Sequence, residues 1–249
     1  MVFRKLFSRP EPRTYALGEA RRVYVIGDIH GRLDLFDALL RKIDADDAAR
    51  GETETHLILL GDLVDRGADS KGVVERAMQL CATGKCRVLM GNHEEVMIRS
   101  WDGDRRTAGL FSRIGGRETL LSYGVDEDVY ESADIGELLD LLKTHVPAEH
   151  IEFMRGFEET IADGGYLFVH AGIRPGVPHD AQSREDTRWI RRDFLEDERD
   201  HGAMIVHGHT ITEDVVERHN RIGIDTGAFA TGKLTALGLE GSERWYLST

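Results

Sequence analysis

The sequence predicts a layered α/β fold: two mixed β-sheets packed face to face, with helices outside. Three observations predict it. Up to Met90 the chain alternates short apolar runs with segments of helical periodicity, as in strands joined by helices. Beyond Tyr166 short apolar runs return with little helix between them, which calls for an antiparallel or mixed sheet. Between the two lies a less regular stretch dominated by helical patterns.

The elements follow in order. Residues 23–26 are apolar, end at Gly27 and read as a buried strand. Leu33, Phe36, Leu39, Leu40 and Ile43 recur at helical spacing. Residues 57–60 are a second buried strand. Val73, Val74, Ala77, Met78, Leu80 and Cys81 fit a second helix, with Ser70 as its N-cap. Residues 88–90 are a third strand. Residues 95–165 read as a mostly helical insertion or cap, with a turn signal at Gly115-Gly116 and helical patterns near 135–142 and 148–157. Strands are expected at 166–169, 203–206, 222–225, 234–239 and 244–247. Residues 1–21 read as an N-terminal tail and 22–249 as a single domain.

Composition narrows the function classes. With 249 residues, 41% apolar and 31% charged, the chain can bury a core without staples and is not a disordered polypeptide. A formal charge of −13 disfavours general nucleic-acid binding. Cys81 and Cys86 are too few for a disulfide scaffold or a four-thiolate zinc site, and read as a pair of small apolar side chains in a reducing, cytoplasmic setting. No apolar run reaches the roughly 18 residues of a membrane span. Residues 1–13 carry Arg4, Lys5, Arg9 and Arg13 without the apolar core of a secretory signal. The acidic run 193–200 reads as a solvated face.

The chemistry is concentrated where strands end. The runs are followed in turn by Gly27-Asp28-Ile29-His30-Gly31, Gly61-Asp62-Leu63-Val64-Asp65-Arg66-Gly67, Gly91-Asn92-His93-Glu94, His170-Ala171-Gly172 and His207-Gly208-His209. Open α/β sheets place ligand sites outside the carboxyl ends of their strands. Asp28, His30, Asp62, Asn92, His170 and either His207 or His209 therefore converge on one rim. Oxygen and imidazole donors without thiolate suit Mn, Fe or Zn. Six ligands exceed one structural zinc and suit two metal ions sharing a carboxylate. His56, His145, His150, His179, His201 and His219 lie in polar contexts and read as surface or capping residues.

These motifs resemble the signature of the phosphoprotein phosphatase family of calcineurin-like metallophosphoesterases, above all the small bacterial and bacteriophage lambda-type serine/threonine phosphatases. The resemblance runs from about residue 22 to the C-terminus. It implies the four-layer metallophosphoesterase fold and two metal ions, Mn foremost with Fe or Zn as alternatives. It implies Asp28 and His30 on the first metal, Asp62 bridging, and Asn92, His170 and His209 on the second. His209 is preferred to His207 because the family ligand follows a glycine. His93 is the implied general acid, oriented by Asp65, and Arg66 the implied phosphate ligand. A second arginine is Arg191 or Arg192, with the Trp-x-Arg pattern favouring Arg191. The implied reaction is phosphomonoester hydrolysis by in-line attack of a hydroxide shared by the metals, with phosphorylated proteins or small phosphoesters as transient partners and no obligate partner indicated.

Three other readings stand beside it. Symmetric dinucleoside tetraphosphatases resemble the early motifs but tend to lack the aspartate found here at Asp65. A superfamily nuclease or phosphodiesterase usually closes with Gly-His-x-His, whereas Ile211 occupies that last place. A binding module that merely kept the fold would not have every motif position filled. Tyrosine or dual specificity on the same scaffold stays open, because the rim segments 95–165 and 175–189 match no family pattern.

Overall fold

The computed structural model describes residues 14–18 and 21–249. Its first half is built from β1 (Arg21–Ile26), α1 (Leu33–Ala49), β2 (Glu54–Leu59), α2 (Ser70–Ala82) and β3 (Cys86–Val88). The helical insertion follows: α3 (Asn92–Trp101), α4 (Arg105–Phe111), a π-helical turn (Ser112–Gly116), α5 (Arg117–Ser122), α6 (Glu127–Ser132), α7 (Ile135–His145) and α8 (Ala148–Arg155). The second half comprises β4 (Thr160–Asp163), β5 (Tyr166–Val169), α9 (Arg184–Trp189), α10 (Arg192–Leu195), β6 (Met204–His207), β7 (Val216–Glu217), β8 (Arg221–Gly223), α11 (Ala228–Thr231), β9 (Thr235–Glu240) and β10 (Glu243–Ser248).

Two five-stranded mixed sheets result, in the orders β10-β9-β1-β2-β3 and β4-β5-β6-β8-β7. In the first, β1, β2 and β3 are parallel and β9 runs antiparallel to β1. In the second, β5, β6 and β8 are parallel, with β4 and β7 antiparallel at the edges. The period-two alternation of strand side chains explains why the early runs are apolar throughout. Val23 and Val25 face the second sheet, meeting Phe168, Met204, Val206 and Ile222, while Tyr24 and Ile26 face the helices, packing with Phe36 and Leu39. On the far side, Leu167, Val169 and Ile205 pack on Phe194 of α10. The layers are therefore helix, sheet, sheet, helix, as expected. Among the described residues no helix is long and apolar enough to cross a membrane.

Several local expectations are corrected. The basic stretch 1–13 lies outside the described residues. Tyr15 and Leu17, assigned to the tail, are buried in the inter-sheet core, and the Leu17 amide donates to the Gly241 carbonyl (2.8 Å). The insertion ends before residue 165, because β4 pairs with β5 as a sheet edge. Asp69, not Ser70, caps α2: its carboxylate accepts from the Gly72 amide at 2.8 Å, and Ser70 turns inward as the first helical residue. His150 is buried, its Nδ1 2.8 Å from the Tyr123 hydroxyl, and the His201 ring is enclosed beside Asn220. In both cases tertiary packing covers a residue whose sequence neighbours are polar.

Phe36 joins α1 to the sheet and is fully buried. Phe36→Ala is expected to lower the unfolding free energy by about 3–5 kcal/mol, measured by urea denaturation, with unchanged secondary structure in circular dichroism.

Candidate active site

Parallel β1, β2 and β3 and parallel β5 and β6 end on the same side, so the loops that follow them meet between the sheets. Asp28, His30, Asp62, Asp65, Asn92, His93, His170 and His209 are all buried there. The backbone is bent to bring them in. His30, Asp62, Asp65, Arg66 and His209 have φ of 47°, 50°, 72°, 71° and 63°, and they are the non-glycine residues with positive φ among those described. Strained conformations of this kind persist only where surrounding contacts enforce them. The approach is also close: a Cβ at Gly208 would lie 2.0 Å from Asp28 Oδ1, and the His209 amide donates to both Asp28 carboxylate oxygens at 3.0 and 3.2 Å.

Hydrogen bonding identifies the free lone pairs. His170 Nδ1 lies 2.7 Å from the Leu60 carbonyl and His30 Nδ1 2.8 Å from the Val64 carbonyl. Each ring nitrogen facing a carbonyl must carry the proton, so each Nε2 presents a lone pair. His170 Nε2 faces Asn92 Oδ1 at 3.1 Å, His209 Nδ1 at 3.2 Å and Asp62 Oδ2 at 3.5 Å. His30 Nε2 faces the same Asp62 oxygen at 3.6 Å. Two groups of donor atoms, His30–Asp62–His93 and Asp62–His170–His209, thus share Asp62. The Nε2 of His209 is buried without a hydrogen-bond partner. Buried lone pairs aimed at one another are costly unless a cation lies between them, and this donor set fits two cations bridged by Asp62. Burial pushes His30 down to about 3 and lowers His170 and His209 as well, which keeps these imidazoles neutral. Burial alone would raise Asp62, but the surrounding histidines, His170 foremost, hold its carboxyl below the usual range. Asp28 belongs to neither group as the structure stands. Burial, with Asp225 and Asp62 nearby, pushes its carboxyl well up.

A second cluster adjoins the first. His93 Nδ1 is 2.7 Å from Asp65 Oδ2, and Arg66 Nη2 is 3.0 Å from His93 Nε2. Arginine only donates, so His93 Nε2 is the acceptor here and Nδ1–H donates to Asp65. Burial lowers His93, yet the charges of Asp62 and Asp65 outweigh it and leave the imidazole raised. The Arg66 guanidinium lies over the Phe229 ring, 4.6 Å from its centroid, and its Nε donates to the Ile114 carbonyl at 3.3 Å. Arg191 reaches Thr210 Oγ1 at 3.4 Å, next to His209, and its charge helps lower His170 and His209. Arg192 is 83% exposed and pairs with Glu196 away from the rim. His207 ends β6, and its ring packs edge-on against Phe194 outside both donor groups.

Four residues join the site that the sequence reading did not single out. Glu94 accepts the amides of Asp62, Leu63, Val64 and Gly91, pinning the bent loop to the start of α3. The capping-box spacing after Gly91 could have signalled it. Asp225 follows β8 as Asp28 follows β1, a pattern visible in sequence. Burial raises its carboxyl to about 6. Ser70 and Thr119 bond Asp65, and no local signal marks either.

The comparisons with known proteins bear on the family and the fold. A family model described as calcineurin-like phosphoesterase matches residues 21–230. The asymmetrical bis(5'-nucleosyl)-tetraphosphatase PrpE of Anoxybacillus flavithermus is 27% identical over 238 residues, 86% of this chain and 88% of that protein. The symmetrical bis(5'-nucleosyl)-tetraphosphatase of Ralstonia nicotianae is 25% identical, covering 86% of this chain and 87% of its own length. The solved structure of a candidate diadenosine tetraphosphatase superposes with a TM-score of 0.64 at 20% identity, covering 94% of this chain and 98% of that one.

His209→Ala is expected to weaken Mn²⁺ binding at one of two positions by roughly 100-fold or more, beyond what loss of a supporting residue costs, whereas His207→Ala leaves binding at the parent level. Calorimetric titration of the stripped protein measures both.

Proposed function

The chain belongs to the calcineurin-like phosphoesterase family, and from that premise we propose that it hydrolyses dinucleoside tetraphosphates with two cations held by Asp28, His30, Asp62, Asn92, His170 and His209. The observation that carries the chemistry is the pair of donor groups joined through one Asp62 oxygen. The substrate rests on chain-length similarity to tetraphosphatases of both cleavage types. The sequence reading put a serine/threonine phosphoprotein first, and the relatives move the nucleotide ahead of it. When bound, the cations supply Lewis acidity toward phosphoryl oxygens and an acidified water.

The chain's own residues do the rest. Arg66 and Arg191 offer planar guanidinium donors to the oxygens of the transferred phosphoryl group, a geometry lysine cannot copy. A phosphate that draws Arg66 to itself releases His93 Nε2, now bonded to that guanidinium. His93, held through Nδ1 by Asp65, can then carry a proton on Nε2 and deliver it to the departing oxygen. Asp62 and Asp65 favour the protonated ring this step requires. Protonation matters little when the leaving group is a nucleoside polyphosphate, a weakly basic anion, and much when it is an alkoxide. The assembled Asp65–His93 pair therefore supports a second reading, hydrolysis of phosphoserine or phosphothreonine.

The deciding experiment compares phosphate or nucleotide release from diadenosine tetraphosphate and from a phosphoserine peptide, with Mn²⁺ and equal substrate concentrations. Faster turnover of the nucleotide, abolished by Asp62→Asn, is expected. ADP as sole product marks symmetrical cleavage, and ATP with AMP marks asymmetrical cleavage. An inert nucleotide with a reactive peptide overturns the substrate assignment and leaves the phosphomonoesterase reading. Asp65→Asn should cost about 100-fold or more in kcat on the peptide, and far less on the nucleotide.

A further inference from the structure

We propose that Thr119, delivered by the helical insertion, is a positioning residue for the Asp65–His93 pair; this rests on the acid role given to His93 above. Thr119 is fully buried on α5, and its chain distance from Asp65 is 54 residues. Its hydroxyl donates to Asp65 Oδ1 at 2.6 Å. Thr119 Oγ1 also accepts the Asp65 amide at 2.9 Å and lies 2.9 Å from Ser70 Oγ. A hydroxyl has one proton and two lone pairs. With its proton committed to an acceptor-only carboxylate oxygen, Thr119 must accept from Ser70, so all three capacities are used. Ser70 Oγ also accepts the Asp65 amide, at 3.0 Å.

This arrangement fixes the direction of Asp65. One carboxylate oxygen is tied to Thr119, which leaves the other aimed at His93 Nδ1 at 2.7 Å. The tie is made at a residue whose backbone is strained, with φ of 72° at Asp65 and 71° at Arg66. The neighbouring half of the same turn is held from the same segment: the Arg66 amide donates to the Gly115 carbonyl at 3.0 Å. Gly115 itself has φ of 116°, and a Cβ there would stand 2.6 Å from the Arg66 nitrogen. The short stretch from Ile114 to Thr119 thus grips both Asp65 and Arg66. Among the described residues Thr119 makes no hydrogen bond to His93 or to the residues assigned to the cations, so its effect on turnover passes through Asp65.

The test uses the full chain with Mn²⁺ and two probe substrates, a phosphoserine peptide with a basic leaving group and p-nitrophenyl phosphate with a weakly basic one. Thr119→Val removes the hydroxyl at nearly constant volume. It is expected to lower kcat on the peptide by about 10- to 100-fold, the loss of a hydrogen bond to a charged group. KM and bound Mn²⁺ should hold, the loss on the aryl phosphate should be much smaller, and Thr119→Ser should restore the peptide rate. Thr119→Ala gives the same comparison if the valine variant does not fold. Equal loss on both substrates, a loss carried in KM or metal content, no rescue by serine, or no loss at all overturns the proposal. Asp65→Asn and His93→Asn separate the two levels. If they discriminate between the substrates and Thr119→Val does not, only the role of Thr119 falls. If they do not discriminate either, the acid role of His93 falls, and with it the role of Thr119.

Discussion

Asp62 is a carboxylate buried among imidazoles, and the arrangement of the site follows from keeping it ionised there. An isolated buried carboxylate would take up a proton rather than bear its desolvation cost. Of the rings around it, His93 is the one biased toward its cationic form, while neutral His30 and His170 turn toward it Nε2 lone pairs that a cation would bridge. The tautomers follow from two carbonyls: Val64 and Leu60 accept the Nδ1 protons of His30 and His170, which turns their Nε2 lone pairs toward the Asp62 oxygen, a repulsion that a cation between them would relieve. Left-handed turns at His30, Asp62 and His209 bring their donors to those of Asn92 and His170.

The strain in those turns is offset by buried polar contacts. Glu94 collects four amides from the loop carrying Asp62 and from the start of α3, with both of its oxygens used. Satisfying buried amides in this way is what allows a loop without regular pairing to sit inside the molecule. Asp65 and Arg66, the next bend in the same loop, are held from the insertion. One loop therefore answers to two bodies: the strand-end scaffold fixes the half that carries Asp62, and the insertion fixes the half that carries Asp65 and Arg66.

This division bears on how one scaffold serves different phosphate substrates. The candidate cation ligands lie on strand ends that cannot move without unpacking the inter-sheet core of Val25, Phe168 and Val206. Arg191 and Trp189 lie on the segment that follows β5. Trp189 packs edge-on near His209, 6.4 Å between centroids, and its Nε1 donates to Glu95 on α3 at 3.0 Å. Sequence variation in the rim segments can therefore alter what is bound while leaving the reacting centre in place.

The sequence by itself determined the order of strands and helices in the first half, the two mixed sheets, and the identity of the strand-end donors. Those signals are local: apolar period, glycine at the bend, and a carboxylate or imidazole at once after it. Glu94, at capping-box spacing after Gly91, and Asp225, two residues past β8, carry local signals of their own. Tertiary structure alone decided which nitrogen of each histidine is free, that Arg192 points away while Arg191 reaches Thr210, and that Ser70 turns inward to Asp65 instead of capping α2. It alone placed Thr119 beneath Asp65, buried His150 and drew Tyr15 and Leu17 into the core. Most of these depend on a partner far along the chain, and a contact across 54 residues, such as that of Thr119 with Asp65, leaves no periodic or compositional trace in either neighbourhood.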